Sequence, residues 1–386
     1  MSNLTEGDGK IQELMTISSR KNVGKIIAAK NYVGVIAMTD GTVIEILPKI
    51  NGEQVSKEES KKIFLEMLKT SNLINYKIFN TTQLNTNSMN ILEIFIKMFV
   101  DEVDILCKQG LKSAYISKQE NEQFFRGKLL VNENIKYNRI NKEHFFVSYD
   151  EFGLNRPENR LIKSTLEMLM KMSRNPNSIK LIRQLLGQFE SIAKSSNYTS
   201  DFSMCQTDRS MDRYIKALAW SKVFLMKKSF TSFSGDNIAF SLLFPMEKLF
   251  ESYIAHKLKQ HLESGIKLSV QEKKYHMFDD PKPIFSLKPD IVIRSGESTF
   301  VLDTKWKILN ETDKNFGISQ NDIYQMYAYS KKYNSKRSIL IFPRQTEKSI
   351  SHHLKSSDEV HVLIYAVDLK YIDQSIRDLM NRISEE

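Results

Sequence analysis

The chain has 386 residues, 41% of them apolar and 26% charged, a globular composition with enough apolar mass for two or three packed cores. No segment reaches the roughly 20 uninterrupted apolar residues that a membrane span requires, since the most apolar run, Ile91 to Val100, is broken by Glu93 and Lys97. Two cysteines, Cys107 and Cys205, exclude a disulfide scaffold and a Cys-x-x-Cys metal knuckle and read as buried, unreactive thiols, while a formal charge of +10 fits a polyanionic partner. The lysines are spread in pairs such as Lys273-Lys274 and Lys331-Lys332, a pattern of solvated surface more than of a groove. The opening Met-Ser-Asn-Leu-Thr-Glu has neither the basic nor the apolar region of an export signal, so the expected location is the cytoplasm.

Residues 22–50 predict β structure, with apolar runs at Val23–Ala28, Tyr32–Met38 and Thr42–Leu47. Asp40-Gly41 between the last two is a hairpin signal, because a type I′ turn needs positive φ at both central positions, and Pro48 ends the strand. Ser56-Lys57-Glu58-Glu59 has the form of a capping box and opens a helix with Ile63, Phe64, Met67 and Leu68 on one face. Residues 1–75 thus read as a small β-rich domain closed by a helix. From 76 to 240 the pattern is mainly helical, with apolar spacings of three and four in 89–107, 158–172, 178–194 and 208–228, interrupted by a strand-like stretch at Lys128–Val131. From 241 to 386 the order becomes helix, strands, helix, strand, strand. Pro245 suits the first helical position, and Leu249, Phe250, Tyr253, Ile254 and Leu258 make an apolar stripe ending near Gly265. Strands are predicted at 266–271, 284–294 and 299–308, a helix over Ser319–Tyr333, and further strands at Ile339–Pro343 and Val360–Val367. Helices alternating with almost wholly apolar strands imply a mixed sheet buried on both faces, and the whole reads as an α+β multidomain protein with a C-terminal α/β domain.

The segment from Lys288 to Lys305 carries the chemistry. If Ser295 to Ser298 form a four-residue turn around Gly296, Arg294 falls opposite Thr299, Ile291 opposite Leu302 and Asp290 opposite Asp303. Directly opposed residues have Cβ atoms about 4.5–5.5 Å apart, where like charges repel, so folding alone gives no reason for the pair. A divalent cation gives one: hard Mg²⁺ takes carboxylate and carbonyl oxygens, here Asp290, Asp303 and the backbone carbonyl of Thr304. Lys305 projects from the same face as Asp303, where its ammonium orients a water and offsets charge on a scissile phosphate. The preceding helix offers Glu247 and Glu251, one turn apart, and either can reach the site. In the following helix Gln325 and Tyr329 share a face, while Tyr324, Tyr327 and Tyr329 read mainly as core.

A helix with an acid, Pro-Asp, Asp-x-Lys on the next strand and a helix with Gln-x-x-x-Tyr together resemble the PD-(D/E)XK nuclease superfamily, over roughly the last 140 residues. Gly41-Thr-Val-Ile-Glu-Ile-Leu-Pro-Lys-Ile50, Arg126-Gly-Lys-Leu129, Tyr149-Asp-Glu-Phe152 with Glu158-Asn159, Leu249-Phe-Glu-Ser-Tyr253 and Asp303-Thr-Lys-Trp-Lys307 are similar, in order, to phrases of the McrC family, the nuclease subunits of McrBC-type restriction systems. The resemblance implies a restriction-endonuclease-like domain at 241–386, catalytic places for Asp290, Asp303 and Lys305, and Glu251 as the helix acid with Glu247 second. It gives Gln325 and Tyr329 a supporting or DNA-contacting place.

The resemblance further implies Mg²⁺ as cofactor, double-stranded DNA as substrate, and a McrB-like AAA+ GTPase hexamer that the N-terminal part of the chain enters and stimulates. None of Gly9-Lys10, Gly24-Lys25 and Gly127-Lys128 completes a G-x-x-x-x-G-K-[ST] phosphate loop, so a motor must be another chain. Double-strand cutting by a single-site nuclease implies self-association. The other readings are an autonomous repair or recombination nuclease and a non-catalytic DNA-binding adaptor.

Overall fold

The computed structural model describes residues 15–20, 24–29, 31–38, 40–50, 55–71, 89–140, 142–205, 209–226, 238–307, 309, 313–344 and 350–384. Val23, Gly9-Lys10 and the ends of the predicted segments at 208, 227–228 and 308 lie outside them.

Strands β1 (Met15–Arg20) and β2 (Gly24–Ala29) form a hairpin of their own. β3 (Tyr32–Met38) and β4 (Val43–Ile46) form the predicted second hairpin, with Ala37 opposite Val43. Its turn differs from expectation. Asp40 does not adopt positive φ; instead its carboxylate accepts from the Thr42 N–H at 2.8 Å, and Gly41 takes the left-handed setting at φ +89°. An Asp side chain that closes its own turn removes the need for two left-handed residues. Helix α1 (Lys57–Thr70) opens on the expected capping box, with Ser56 and Glu59 bonding each other's backbone N–H.

Helix α2 (Ile91–Lys108) is buried along most of its length. Glu93, the acid inside its apolar run, is only 5% exposed, and its carboxylate accepts from the Ser173 hydroxyl at 2.8 Å and from the N–H of Arg174 and Asn175 at 2.6 and 3.2 Å. It therefore ties α2 to the junction between α4 (Pro157–Met172) and α5 (Pro176–Gln188). Between α2 and α4 lies a sheet where a mainly helical region was expected: β5 (Ala114–Glu122), β6 (Lys128–Leu129) and β7 (Phe145–Gly153), with α3 (Val131–Asn138) between the last two. Only β6 was foreseen. β5 and β7 carry polar residues on both faces and show no clean alternation, so the period-two signal fails. Gly127 is required there, because a Cβ would stand 2.3 Å from the Ser148 carbonyl oxygen. Helices α6 (Tyr198–Met204) and α7 (Ile215–Leu225) complete the region. Cys107 is buried as expected and Cys205 is half-buried, with burial pushing both thiols up, to about 11 and about 12.

Strand β8 (Ile238–Pro245) returns to the N-terminal sheet and pairs with β3, giving the order β4-β3-β8. A Cβ at Gly34 would stand 2.0 Å from the Leu242 carbonyl oxygen, so the two strands meet this closely only with glycine there. Helix α8 (Met246–His261) follows directly, with Pro245 as its N-cap instead of its first residue, and Met246 N–H donates to the Asn31 carbonyl at 2.8 Å.

β9 (Lys267–Val270) begins the C-terminal sheet; the predicted strand 284–294 is two strands, β11 (Ile284–Ser286) and β12 (Ile291–Ser295), and β11 pairs apart from the sheet with β10 (His276–Phe278). β13 (Ser298–Thr304), α9 (Gln320–Tyr333, capped by Ser319), β14 (Arg337–Pro343), β15 (Ser351–Lys355), β16 (His361–Val367) and α10 (Ile372–Ser384) complete the chain. The sheet is mixed, in the order β15-β16-β14-β13-β12-β9, with β13, β14 and β16 parallel. Ile291, Leu302, Ile339 and Leu363 join one core with α8 and α10, whereas Val292, Val301, Leu340 and Ile364 join another with Met326, Tyr329 and Tyr333 of α9. The strands are thus covered on both faces, as their continuous apolar character required. The first core continues through α1, α2 and β3.

Glu93→Ala leaves two backbone N–H groups and a hydroxyl without their buried acceptor. We expect a loss of about 2–3 kcal/mol in denaturant unfolding; a loss below about 0.5 kcal/mol would show that water replaces the carboxylate.

Candidate active site

β12 and β13 pair in the predicted register, Ile291 opposite Leu302 and Arg294 opposite Thr299, and Gly296 takes φ +57° in the turn. One step beyond the paired residues, the same register brings Asp290 opposite Asp303. On the other side of β12, Ile291 faces Val270, so one further step brings Gln271 opposite Asp290, whose carbonyl accepts from the Gln271 N–H at 2.9 Å. Gln271, Asp290 and Asp303 therefore form a row across three adjacent strand ends.

Each member of the row is held by protein donors. Asp290 Oδ2 accepts from both the N–H and the hydroxyl of Thr304, each at 2.8 Å, and its Oδ1 accepts from Gln271 Nε2 at 3.1 Å. The same Gln271 amide donates to Glu251 Oε1 of α8. Asp303 is 2% exposed, and its buried Oδ2 meets the Lys305 ammonium at 2.6 Å as an ion pair. Lys305 Nζ also donates to Gln325 Oε1 at 3.2 Å, and Gln325 Nε2 to the Tyr329 hydroxyl at 2.8 Å.

The electrostatics follow from burial. Desolvation lifts the Asp303 carboxyl above the usual carboxylate range, the neighbouring Asp290 charge lifts it further, and Lys305 opposes. Desolvation also raises Asp290, against the two Thr304 hydrogen bonds and the charges of Lys305 and Lys288. Glu251 is pushed up to about 7 by burial first and by Asp290 second. Burial draws the Lys305 ammonium down, but Asp303 more than reverses this and keeps it protonated. Like charges about 5 Å apart repel by roughly 3 kcal/mol at an effective dielectric of about 20. Hydrogen bonds to a charged acceptor contribute about 1.5–3 kcal/mol each. Thr304 therefore stabilises one charged carboxylate, and Asp303 is left with burial and repulsion against a single ammonium.

Of the predicted residues, Asp290, Asp303, Lys305, Glu251, Thr304, Gln325 and Tyr329 are brought together. Thr304 engages Asp290 through its N–H and hydroxyl, a contact the expectation of a carbonyl ligand did not include. Glu247 points elsewhere: it is exposed and accepts from Asn31 Nδ2 of the N-terminal sheet at 3.4 Å, because one helical turn separates it from the strand ends that Glu251 meets. Tyr324 and Tyr327, expected as core, are exposed at 66% and 42%; the inward face of α9 is Met326, Tyr329 and Tyr333. Sequence reading missed Gln271 and Asp322. Gln271 lies in no motif and becomes visible only through the register of β9, which an acid-and-lysine search does not consult. Asp322, in the first turn of α9, meets Lys307 at 2.9 Å and Lys305 at 3.9 Å.

The donor set suits a hard divalent cation: three carboxyl groups that burial holds back from full charge, one of them balanced by a single ammonium. Among the described residues, however, no three His, Cys, Asp or Glu side chains converge closely enough to hold a metal ion as they stand. The Gln271 amide separates Glu251 from Asp290, and the Lys305 ammonium stands on Asp303. The protein's own donors occupy the positions that a cation would take.

Residues 27–343 match the family model for the McrBC 5-methylcytosine restriction system component. Among solved structures, a chain of the refined half-complex from the tetradecameric assembly of Thermococcus gammatolerans McrB AAA+ hexamers with bound McrC is similar at 21% identity and a TM-score of 0.69, over 95% of this chain and 85% of that one. This is a likeness of fold. A chain of the cryo-EM structure of the Thermococcus gammatolerans McrBC complex is similar at 23% identity and a TM-score of 0.45, over 62% of this chain and 69% of that one. No curated protein matches.

A carboxyl raised to about 7 binds its proton more tightly in the folded than in the unfolded chain, so stability falls as pH rises from the ordinary carboxylate range through about 7. Glu251→Gln keeps the acceptor for Gln271 and removes this dependence. We expect the variant to gain stability over the parent at pH 8 but not at pH 4, in thermal melts without divalent cations. An equal effect at both values would contradict the assignment.

Proposed function

The chain belongs to the family of McrBC 5-methylcytosine restriction system components, and we propose that it acts there as the DNA-cutting subunit, a Mg²⁺-dependent endonuclease driven by a McrB-like AAA+ GTPase. The observation that supports this reading is the row of strand ends: two acids opposed at a buried sheet edge, a lysine on one of them and a third acid reaching in from α8.

Asp290 and Asp303, with the Thr304 carbonyl and Glu251, would hold the cation. When bound, Mg²⁺ would neutralise phosphate charge and lower the pKa of a water so that it loses a proton and can attack phosphorus. Thr304 fixes the Asp290 carboxylate through two hydrogen bonds, so one donor is already oriented. Lys305 is held between Asp303 and Gln325, and Tyr329 holds Gln325 in turn, which keeps the ammonium at the site's mouth to bind the scissile phosphate. Glu251, with its proton affinity near neutrality, takes up or yields a proton at working pH.

The motor is assigned to another chain. A fold-related chain comes from an assembly of McrB AAA+ hexamers with bound McrC, and this sequence carries no phosphate loop. Residues 1–240 then serve docking and activation, 241–386 the cutting, and a second copy supplies the second strand's cut.

Asp303→Asn in the complex reconstituted with its motor is expected to lower plasmid cleavage by at least about a hundredfold and to leave stimulated GTP hydrolysis intact. Normal cutting by the variant refutes the catalytic assignment. Loss of hydrolysis together with cutting would show instead that Asp303 serves the fold of the docking part.

A further inference from the structure

Between Gln271 and Asp290, which face each other in the carboxylate row, the chain leaves the six-stranded sheet and returns through the separate hairpin β10–β11. The root of this arm is fixed. Leu287 N–H donates to the Tyr275 carbonyl at 2.8 Å, the Tyr275 ring meets Tyr333 of α9 edge-on at 4.6 Å, and Glu272 accepts from both terminal nitrogens of Arg294 at 2.6 and 2.8 Å. Its outer part is bare. Phe278 and Phe285 are 56% and 71% exposed, with ring centroids 6.3 Å apart. Phe285 sits at φ +57°, a setting that bulky side chains rarely adopt and that folding alone would not select at an exposed position.

Unpaired charge on the arm is mostly positive. Lys273, Lys274, Lys282 and Lys288 are exposed, and among the described residues none of them meets a carboxylate at ion-pair distance. Its acids Glu272 and Asp279 are neutralised by Arg294 and by Lys332 at 2.9 Å, which leaves Asp280. An exposed phenylalanine pair flanked by lysines suits a duplex: lysines bind phosphates and release counterions, while apolar wedges press into base steps from the minor groove. A protein partner would have to bury the rings and supply an acid for each lysine, whereas a duplex presents phosphates all along its length.

We propose that the β10–β11 arm is a duplex-DNA clamp, with its lysines on phosphates beside the scissile one and Phe278 and Phe285 as the wedge. The proposal rests on the reading of the neighbouring site as DNA-cutting. Gln271, at φ +52°, follows β9, opens the arm and bonds Asp290 and Glu251, so the arm is rooted in the carboxylate row.

The test uses the full chain in complex with its motor. A photo-crosslinking benzoylphenylalanine is placed at Phe285, in the parent and in the Asp303→Asn background, with a short duplex carrying 2-aminopurine. The expected product is a protein–DNA crosslink in both backgrounds. The double variant Phe278→Ala/Phe285→Ala is expected to bind the duplex about tenfold more weakly, to cut it correspondingly more slowly, to lose any 2-aminopurine signal of unstacking, and to melt at the parent's temperature. Crosslinking to the motor or to a second copy, or a double variant that binds and cuts as the parent does, overturns the clamp. If Asp303→Asn still cuts, the nuclease assignment fails while the crosslink continues to report on the arm by itself.

Discussion

Two carboxylates facing each other across neighbouring strands of a covered sheet have no favourable state of their own. Water is excluded from Asp303, the Asp290 charge lies alongside, and the available compensation is local: Thr304 for one carboxylate and Lys305 for the other. The rest of the C-terminal fold depends on keeping these groups in place. The sheet supplies the register that opposes them, α8 brings Glu251 to one side, and α9 brings Gln325 and Tyr329 to the other. Removing either helix would let water in and relieve the burial that raises these carboxyls.

The N-terminal half is not a separate body attached by a linker. β8 completes the sheet of β3 and β4 and runs without a break into α8, so the helix of Glu251 begins as an extension of the N-terminal sheet. Lys370 meets Glu59 at 2.9 Å, and the Tyr253 hydroxyl donates to Glu66 at 3.3 Å, binding α1 to the C-terminal elements. A force on the N-terminal sheet thus reaches α8 through hydrogen bonds and a shared core.

Much of this was legible in the sequence because it depends on local pattern. The β12–β13 register followed from one turn around Gly296, and it placed Asp290 opposite Asp303 with Lys305 beside them. The capping box at Ser56 is a signal local to four residues and was found as such, and the helix start at Ser319 was one residue off, since Ser319 is the cap. What escaped depends on pairing between distant segments. Gln271 is meaningful only beside Asp290, β8 only beside β3, and β5 with β7 bury too little of either face to leave a periodic trace. The choice between Glu247 and Glu251 turned on a helix orientation that spacing alone leaves open. Glu93 read as an interruption of an apolar run, and its acceptor role came from a junction some eighty residues away.

If, as proposed above, Mg²⁺ is held by the opposed acids, it must displace the protons that burial keeps there and the Lys305 ammonium. Proton release on titrating Mg²⁺ into weakly buffered protein near pH 7 tests it most directly, since a cation that takes the carboxylates must displace the protons burial has kept on them. The account predicts release from the parent that Asp303→Asn abolishes. Mg²⁺ binding without proton release, or equal release from both proteins, would contradict it.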